Sequence, residues 1–406
     1  LTMKLFYFGS VCSNEVFNTT VQKSRVKPSA SAQNFEYALI KGFSENPDVE
    51  VTVVAAESIA TFPGGNRLFL RKRTDPLTDR IVSHIVPAIN LPLLKQSAHA
   101  RGTVRQFRKW AKANANTHDK CVLMYGLYPS VAEKMLKACK KYGCKIYAMI
   151  TDAPSTMFTY TKSKVWWKRL FSGSYREKAM ALQDQFDGYV YLTEAMADAV
   201  APGKPYTVME TIADVTIFDG VRAEKAPKPA LMYAGALYQK YGLDLIVDSF
   251  EKVKTDCELW LFGSGDYEQE IMERAEKDPR IKFFGRVSRE EVLQKEKEAA
   301  LLLNIRNPED DYTKYSFPSK MVEYLLSGTP LLTTVLPGIP EEYYVYCFST
   351  TGRVPAVIAS CIDEVLSRTD LTEAGEKARS FVMAEKNSAM QAKKILLFLE
   401  QQISEG

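Results

Sequence analysis

The densest set of residues that could do chemistry is Ser316-Phe317-Pro318-Ser319-Lys320-Met321-Val322-Glu323-Tyr324, which runs into Leu325-Leu326-Ser327-Gly328-Thr329-Pro330. Pro318 suits the first turn of a helix, where a missing N–H costs nothing. Ser316 is placed to be its N-cap, and Gly328 followed by Pro330 ends it. The open N–H groups of such a helix form an anion site suited to a diphosphate. Lys320 puts a full positive charge in the first turn, against the helix dipole, which an anionic ligand would explain. Glu323 lies one turn on, on the same face as Lys320, where a carboxylate can accept hydrogen bonds from two ribose hydroxyls. The plain alternative is a surface Lys–Glu pair. Cap, cation and carboxylate converge on one helix end, which favours the ligand site.

The elements around this helix must position it. Met3–Gly9, Val49–Ala55, Cys121–Tyr125, Lys145–Ile150 and Gly188–Leu192 read as short strands, with helical spacing over Ser130–Lys141 and a helix opening at Thr193. About twenty residues, mostly polar, separate the first strand from an amphipathic segment at Ala32–Phe43, a long βα loop. The stretch Asp219–Ala230 is polar with two prolines and reads as a linker. Strand–helix alternation then restarts with strands at Leu231–Ala234, Leu259–Phe262, Ile281–Phe284, Ala300–Ile305 and Leu331–Val335. Helices are expected from Tyr241, Tyr267, Ser288 and Phe317. Alternation of this kind means α/β architecture with parallel sheets. We expect two Rossmann-like doubly wound domains, 1–218 and 219–383, facing each other across a cleft. A C-terminal helix, 384–406, is expected to pack back on the first domain. Ligands of such sheets bind beyond the carboxyl ends of the strands.

The second half resembles the retaining GT-B glycosyltransferases of family 4 (group 1), and the Ser-Phe-Pro-Ser-Lys…Glu-Tyr form is similar to members that build bacterial surface polysaccharides. The resemblance rests on four elements in order: Tyr233-Ala234-Gly235-Ala236-Leu237 with Lys240-Tyr241-Gly242-Leu243-Asp244; Leu261-Phe262-Gly263-Ser264-Gly265; Ile281 to Val287; and the helix above. It covers residues 230–335 well and the first half loosely. It implies donor contacts from Gly235, Lys240, Gly263, Gly265, Arg286, Val287, Ser316, Phe317, Pro318, Ser319, Lys320 and Glu323. Three positions depart from the family pattern. Tyr315 stands where a first Glu is usual, Ala236 where an Arg is usual, and Tyr241 where a Lys is usual, with Lys240 one residue early. Arg306 and Lys320 offer replacement cations, and Asp310 or Asp311 could reach the sugar.

The implied activity is transfer of a sugar from a nucleotide diphosphate sugar, UDP-linked, to a hydroxyl acceptor such as a lipid-linked or polysaccharide intermediate. Configuration would be retained and no metal or other cofactor required. Lys320, Arg306 and Asp152 are the catalytic candidates. Two alternatives stand beside this. One is a non-catalytic nucleotide-sugar-binding protein, motivated by Tyr315. The other is a GT-B-shaped nucleotide-sugar epimerase, against which the three histidines (His84, His99 and His118, none near a motif) argue.

In the first half, Gly9 and Ser10 end the first strand and are expected to meet the donor phosphates by backbone. Asp152 follows another strand end, where it would orient an acceptor hydroxyl or simply cap a turn. Lys162–Phe171 sets Trp166, Trp167, Lys168 and Arg169 in a basic, aromatic segment suited to an anionic membrane surface; a core helix with a basic edge is the alternative. Of the 406 residues 46% are hydrophobic and 25% charged, ordinary for a globular chain. A net charge of +4 from 53 basic and 49 acidic residues argues against a nucleic-acid binder. Seven scattered cysteines without a C-x-x-C pair suggest reduced thiols. With no signal-peptide pattern and no apolar run of ~20 residues, a cytoplasmic location is expected, possible contact with the inner face of the plasma membrane included.

Overall fold

The computed structural model describes residues 2–152, 175–351 and 353–405. The segment around Trp166, Trp167, Lys168 and Arg169 lies outside the described residues. The chain divides into two compact units, Leu1–Ile212 with Ser388–Gly406, and Ala213–Asn387.

The first unit holds strands β1 (Met3–Gly9), β2 (Val49–Ala55), β3 (Phe69–Leu70), β4 (Arg73–Pro76), β5 (Val82–Ile85), β6 (Ala88–Ile89), β7 (Lys120–Tyr125), β8 (Lys145–Ile150), β9 (Gly188–Tyr191) and β10 (Tyr206–Val208). Its helices are α1 (Asn14–Lys23), α2 (Ala30–Glu45), α3 (Leu94–Ala113), α4 (Pro129–Lys141) and α5 (Ala195–Val200). An eight-stranded sheet runs β10-β9-β8-β7-β1-β2-β5-β4, parallel except for the β4–β5 pair. β1 is central and buried on both faces, which is why Leu5–Phe8 reads as an unbroken apolar run. The last helix, α12 (Ser388–Ser404), packs on α2 and adds Ile395, Leu396 and Leu399 to this unit's core.

Two parts of this unit differ from the sequence reading. The polar stretch after β1 contains α1, capped by Ser13 and holding Phe17 and Thr20 inward at a three-residue spacing. The irregular backbone there is thus limited to residues 10–13 and 24–29. Between β2 and β7, where no element was expected, lie four short strands and the twenty-residue α3. α3 carries six Lys or Arg residues, and its buried face (His99, Thr103, Val104, Phe107, Trp110) mixes polar with apolar side chains.

The second unit has β11 (Ala230–Ala236), β12 (Glu258–Ser264), β13 (Ile281–Gly285), β14 (Leu301–Asn304), β15 (Leu331–Thr334) and β16 (Phe348–Thr350). They form a parallel sheet in the order β13-β12-β11-β14-β15-β16. Its helices are α6 (Leu243–Phe250), α7 (Glu268–Lys277), α8 (Arg289–Glu298), α9 (Ser319–Ser327), α10 (Pro355–Leu366) and α11 (Leu371–Glu385). The segment read as a linker is held to this unit: Lys225 Nζ donates to the Ala299 carbonyl (2.6 Å) and Thr329 Oγ1 (2.9 Å), and the Ala226 N–H to Glu298 O (2.9 Å).

The chain leaves β11 toward β12 on one side and returns to β14 on the other, so the topological switch point lies between β11 and β14. β11 pairs with β12 along its whole length but with β14 only at Leu231 and Met232. Beyond Met232 the Tyr324 hydroxyl fills the opening. It accepts from the Ala234 N–H (2.8 Å) and lies 3.1 Å from the Ala234 carbonyl, to which it donates. Tyr324→Phe strands both groups in a buried place, so it should destabilise the protein by about 1–3 kcal/mol. The measurement is a lower urea midpoint with an unchanged denaturant slope.

Candidate functional site

The carboxyl ends of β11, β12 and β14 hold most of the residues singled out in the second half. Gly263 has φ +127°, and a Cβ there would lie 1.8 Å from the Gly235 carbonyl oxygen. A Cβ on Gly265 would lie 2.1 Å from the Leu237 carbonyl oxygen. These glycines therefore first let two strand ends meet, and any ligand contact is made by the backbone so arranged. Arg286 follows β13 and donates to Ser264 Oγ, while Val287 packs on the core.

α9 begins two residues later than expected. Pro318 is its N-cap, with no side-chain capping bond. Ser316 is not the cap; its hydroxyl donates to the Tyr312 carbonyl (2.9 Å). Phe317 is buried against Tyr343, ring centroids 5.1 Å apart. The Met321 N–H donates to the Pro318 carbonyl (2.8 Å), and without a capping side chain the N–H groups of Ser319 and Lys320 are left for a ligand or solvent. Ser319 is exposed there, and Gly328 closes the helix at φ +77°. Glu323 takes Lys320 Nζ at 2.5 Å on one oxygen and Arg289 at 2.7 Å on the other. Its side chain is only 13% exposed. Burial works to raise its pKa, yet Lys320 and Arg289 outweigh burial and hold it at about 2. Behind it, Glu296 on α8 is fully buried, 4.0 Å from Lys320 Nζ. Neither Arg289 nor Glu296 was singled out from sequence.

Arg306 follows β14. Its guanidinium lies 5.1 Å from the Tyr241 ring centroid, and Nε is buried without a hydrogen-bond partner among the described residues. Lys240 Nζ sits 4.9 Å from the same ring, and Tyr312 donates to the Lys240 carbonyl (2.8 Å). Tyr241, at the position where a Lys is usual, thus has two cations, Lys240 and Arg306, against its ring. A cavity of about 620 Å³ opens beside this group, lined by Lys240, Gly242, Asp244, Asn307, Asp310 and Arg353 among others. Asp310 lines it, whereas Asp311 is 96% exposed and lies 4.0 Å from Lys314.

In the first unit the end of β1 holds a carboxylate. Glu36, on α2, is fully buried. It accepts from the Ser10 N–H (2.9 Å), the Ser10 hydroxyl (2.5 Å) and the Tyr7 hydroxyl (2.9 Å). A Cβ on Gly9 would lie 1.9 Å from Glu36 Oε2. The Ser10 amide expected to face phosphate is therefore already used by an acid. A cavity of about 310 Å³ lies beyond the ends of β1 and β2, with Ser10, Lys95, Gln96, His99, Tyr128 and Ser130 on its wall. Burial pushes the Lys95 amine down to about 8 and His99 down to about 4, Lys95 adding to the latter. His99 Nε2 is buried and without a hydrogen-bond partner among the described residues. Asp152 is exposed just past β8.

Burial also pushes the Glu36 carboxyl up to about 7, against the hydrogen bonds from Ser10 and Tyr7 that lower it. A folded-state pKa above the unfolded value gives stability that is complete below about pH 4.5 and is lost as pH rises through about 7. The loss should reach roughly 3 kcal/mol. Urea titrations across this range should show a fall in wild type that exceeds the fall in Glu36→Gln by about that amount.

Residues 228–368 match the family described as glycosyl transferases group 1. No curated protein matches the chain. Among solved structures, a sucrose-phosphate synthase from Thermosynechococcus elongatus is 12% identical with a TM-score of 0.63, over 99% of this chain and 100% of that one. HepE of Anabaena, solved with UDP, is 14% identical with a TM-score of 0.58, over 99% of each chain. The lipopolysaccharide outer core galactosyltransferase WaaB is 12% identical with a TM-score of 0.60, over 98% of this chain and 100% of that one. At such identities the likeness establishes the fold. Parallel sheets in both units, a group 1 match over the second and whole-length similarity to these transferases make the chain a GT-B fold with a glycosyl transferases group 1 domain at residues 228–368.

Proposed function

We propose that this chain is a glycosyltransferase that moves a sugar from a UDP-linked donor to a hydroxyl acceptor. The observation that carries this is Glu323. It is a nearly buried carboxylate one turn into an uncapped helix, inside the group 1 domain, with Lys320 beside it. In the proposed complex Glu323 accepts the ribose hydroxyls, and the first-turn N–H groups of α9 receive the diphosphate. Backbone near Arg286 and Val287 holds the base. Lys320 and Arg306 meet the charge that develops on the leaving diphosphate, as fixed cations aimed at the transition state; this role needs no metal. HepE, of the same fold, was solved with UDP and with UDP-glucose, which supports a uridine donor.

The acceptor side of the reading uses the first unit. A neutral His99 and Gln96 in the 310 Å³ cavity suit a hydroxylated acceptor, and Asp152 would orient the attacking hydroxyl. A lipid-linked or polysaccharide intermediate as acceptor, retention of configuration, and membrane contact through Trp166, Trp167, Lys168 and Arg169 complete the proposal. They are supported by the family resemblance and by the composition of that segment.

A second reading, a nucleotide-sugar binder without turnover, is favoured by Tyr315 alone. Calorimetry with a nucleotide panel and turnover assays separate the two. Wild type should bind UDP best, and Glu323→Ala should weaken it at least about tenfold. Arg306→Ala should lower turnover by about a hundredfold. Absence of nucleotide binding by wild type would end the transferase reading; binding with no transfer to any acceptor would favour the binder.

A further inference from the structure

We propose that Glu296, in its neutral acid form, is a positioning residue of the donor site: it donates a hydrogen bond to Glu323 while keeping its proton, fixes that carboxylate, and leaves the site positive for a diphosphate. This rests on the donor reading of Glu323 given above.

The geometry begins with burial. Glu296 is 0% exposed, and among the described residues no N–H or hydroxyl reaches either of its oxygens. A carboxylate so placed would lose its hydration with nothing in return. Four groups face it. Arg289 comes from its own helix; Lys320, Glu323 and the Tyr324 ring come from α9. Arg289 is already directed to Glu323 at 2.7 Å, and Lys320 prefers Glu323 at 2.5 Å to Glu296 at 4.0 Å. The Tyr324 hydroxyl is engaged with Ala234. The remaining partner for Glu296 is the Glu323 carboxyl itself, and two carboxyl groups form a hydrogen bond only when one keeps its proton. Glu323 has both cations, so the proton belongs to Glu296. Burial, and then the Glu323 charge, pushes Glu296 well above the usual carboxylate range, which agrees with that assignment.

The consequence is electrostatic. With Glu296 neutral, Lys320, Arg289 and Glu323 leave one net positive charge at the first turn of α9. With Glu296 ionised they would leave none, and the helix end would lose its attraction for a dianionic diphosphate. The neutral acid also holds Glu323 from behind, so that its oxygens keep their direction when ribose hydroxyls displace Arg289 and Lys320.

The test uses the full chain as wild type, Glu296→Gln and Glu296→Leu. Gln keeps a neutral donor and Leu removes it. The first readout is the thermal midpoint from about pH 5 to about pH 8. A proton held by Glu296 only in the folded state adds, in wild type, a loss of stability with each pH unit that the Gln variant lacks. The gap between them should widen in favour of Gln as pH rises; the Glu36 contribution is common to both and cancels. The second readout is UDP affinity by calorimetry. Gln should bind within about threefold of wild type, and Leu about tenfold or more weakly. A flat pH gap would place a charge on Glu296 and overturn the proposal. So would a Gln variant as weak as Leu, or a Leu variant equal to wild type. If wild type binds no UDP, the donor reading falls and the positioning role falls with it, while a widening gap would still locate the proton on Glu296.

Discussion

The second unit depends on a separation within its sheet. β11 and β14 stay paired only to Met232, and past that point the backbone of β11 has lost a neighbour while still deep in the protein. Such a gap is costly unless its polar groups are met. One hydroxyl, that of Tyr324, meets both groups of Ala234. Because Tyr324 belongs to α9, the same contact that closes the sheet sets the height and rotation of the helix. Glu323 is the residue before it and Lys320 lies one turn earlier. Their place at the strand ends is therefore fixed by a packing requirement of the core.

Both units bury an acid near their strand ends, and the comparison shows how partners decide its charge. Glu36 receives a backbone N–H and two hydroxyls, and its carboxyl is raised only to about 7. Glu296 receives no such donor among the described residues and is pushed well above the usual carboxylate range. Burial is similar in the two; in Glu36 the hydrogen bonds that stabilise the ionised form oppose it, and in Glu296 the charge of Glu323 adds to it. Glu323 shows the third case: also largely removed from water, but held ionised by two cations.

The sequence patterns showed the alternation of the second unit because its central strands are short apolar runs with glycine at their ends. β11, β12, β13, β14 and β15 all lie within a few residues of the expected positions. Local spacing also brought Lys320 and Glu323 together, since both sit on one helix. Partners that arrive from another element left no such mark. Arg289 and Glu296 lie on a highly charged helix where an inward glutamate looks like its solvated neighbours. His99 and Lys95 lie on α3, whose buried face is too polar to stand out, and Glu36 interrupts the apolar face of α2. Ser316 was misplaced as a cap because Ser and Pro two residues apart fit a helix start in either register; the backbone begins the helix at Ser319 and turns the Ser316 hydroxyl back to Tyr312.

The last helix has a consequence for the order of events as the chain is made. Residues 388–404 supply Ile395, Leu396 and Leu399 to a core whose other members begin at Met3 and Leu5. The second unit, Ala213–Asn387, is continuous in sequence and can close as soon as it has emerged. The first unit cannot complete its core until residues 388–404 have been joined, after the whole of the second unit. Until then α2 lacks its partner helix, so of the two units the one whose strands come earlier is the one that finishes folding later.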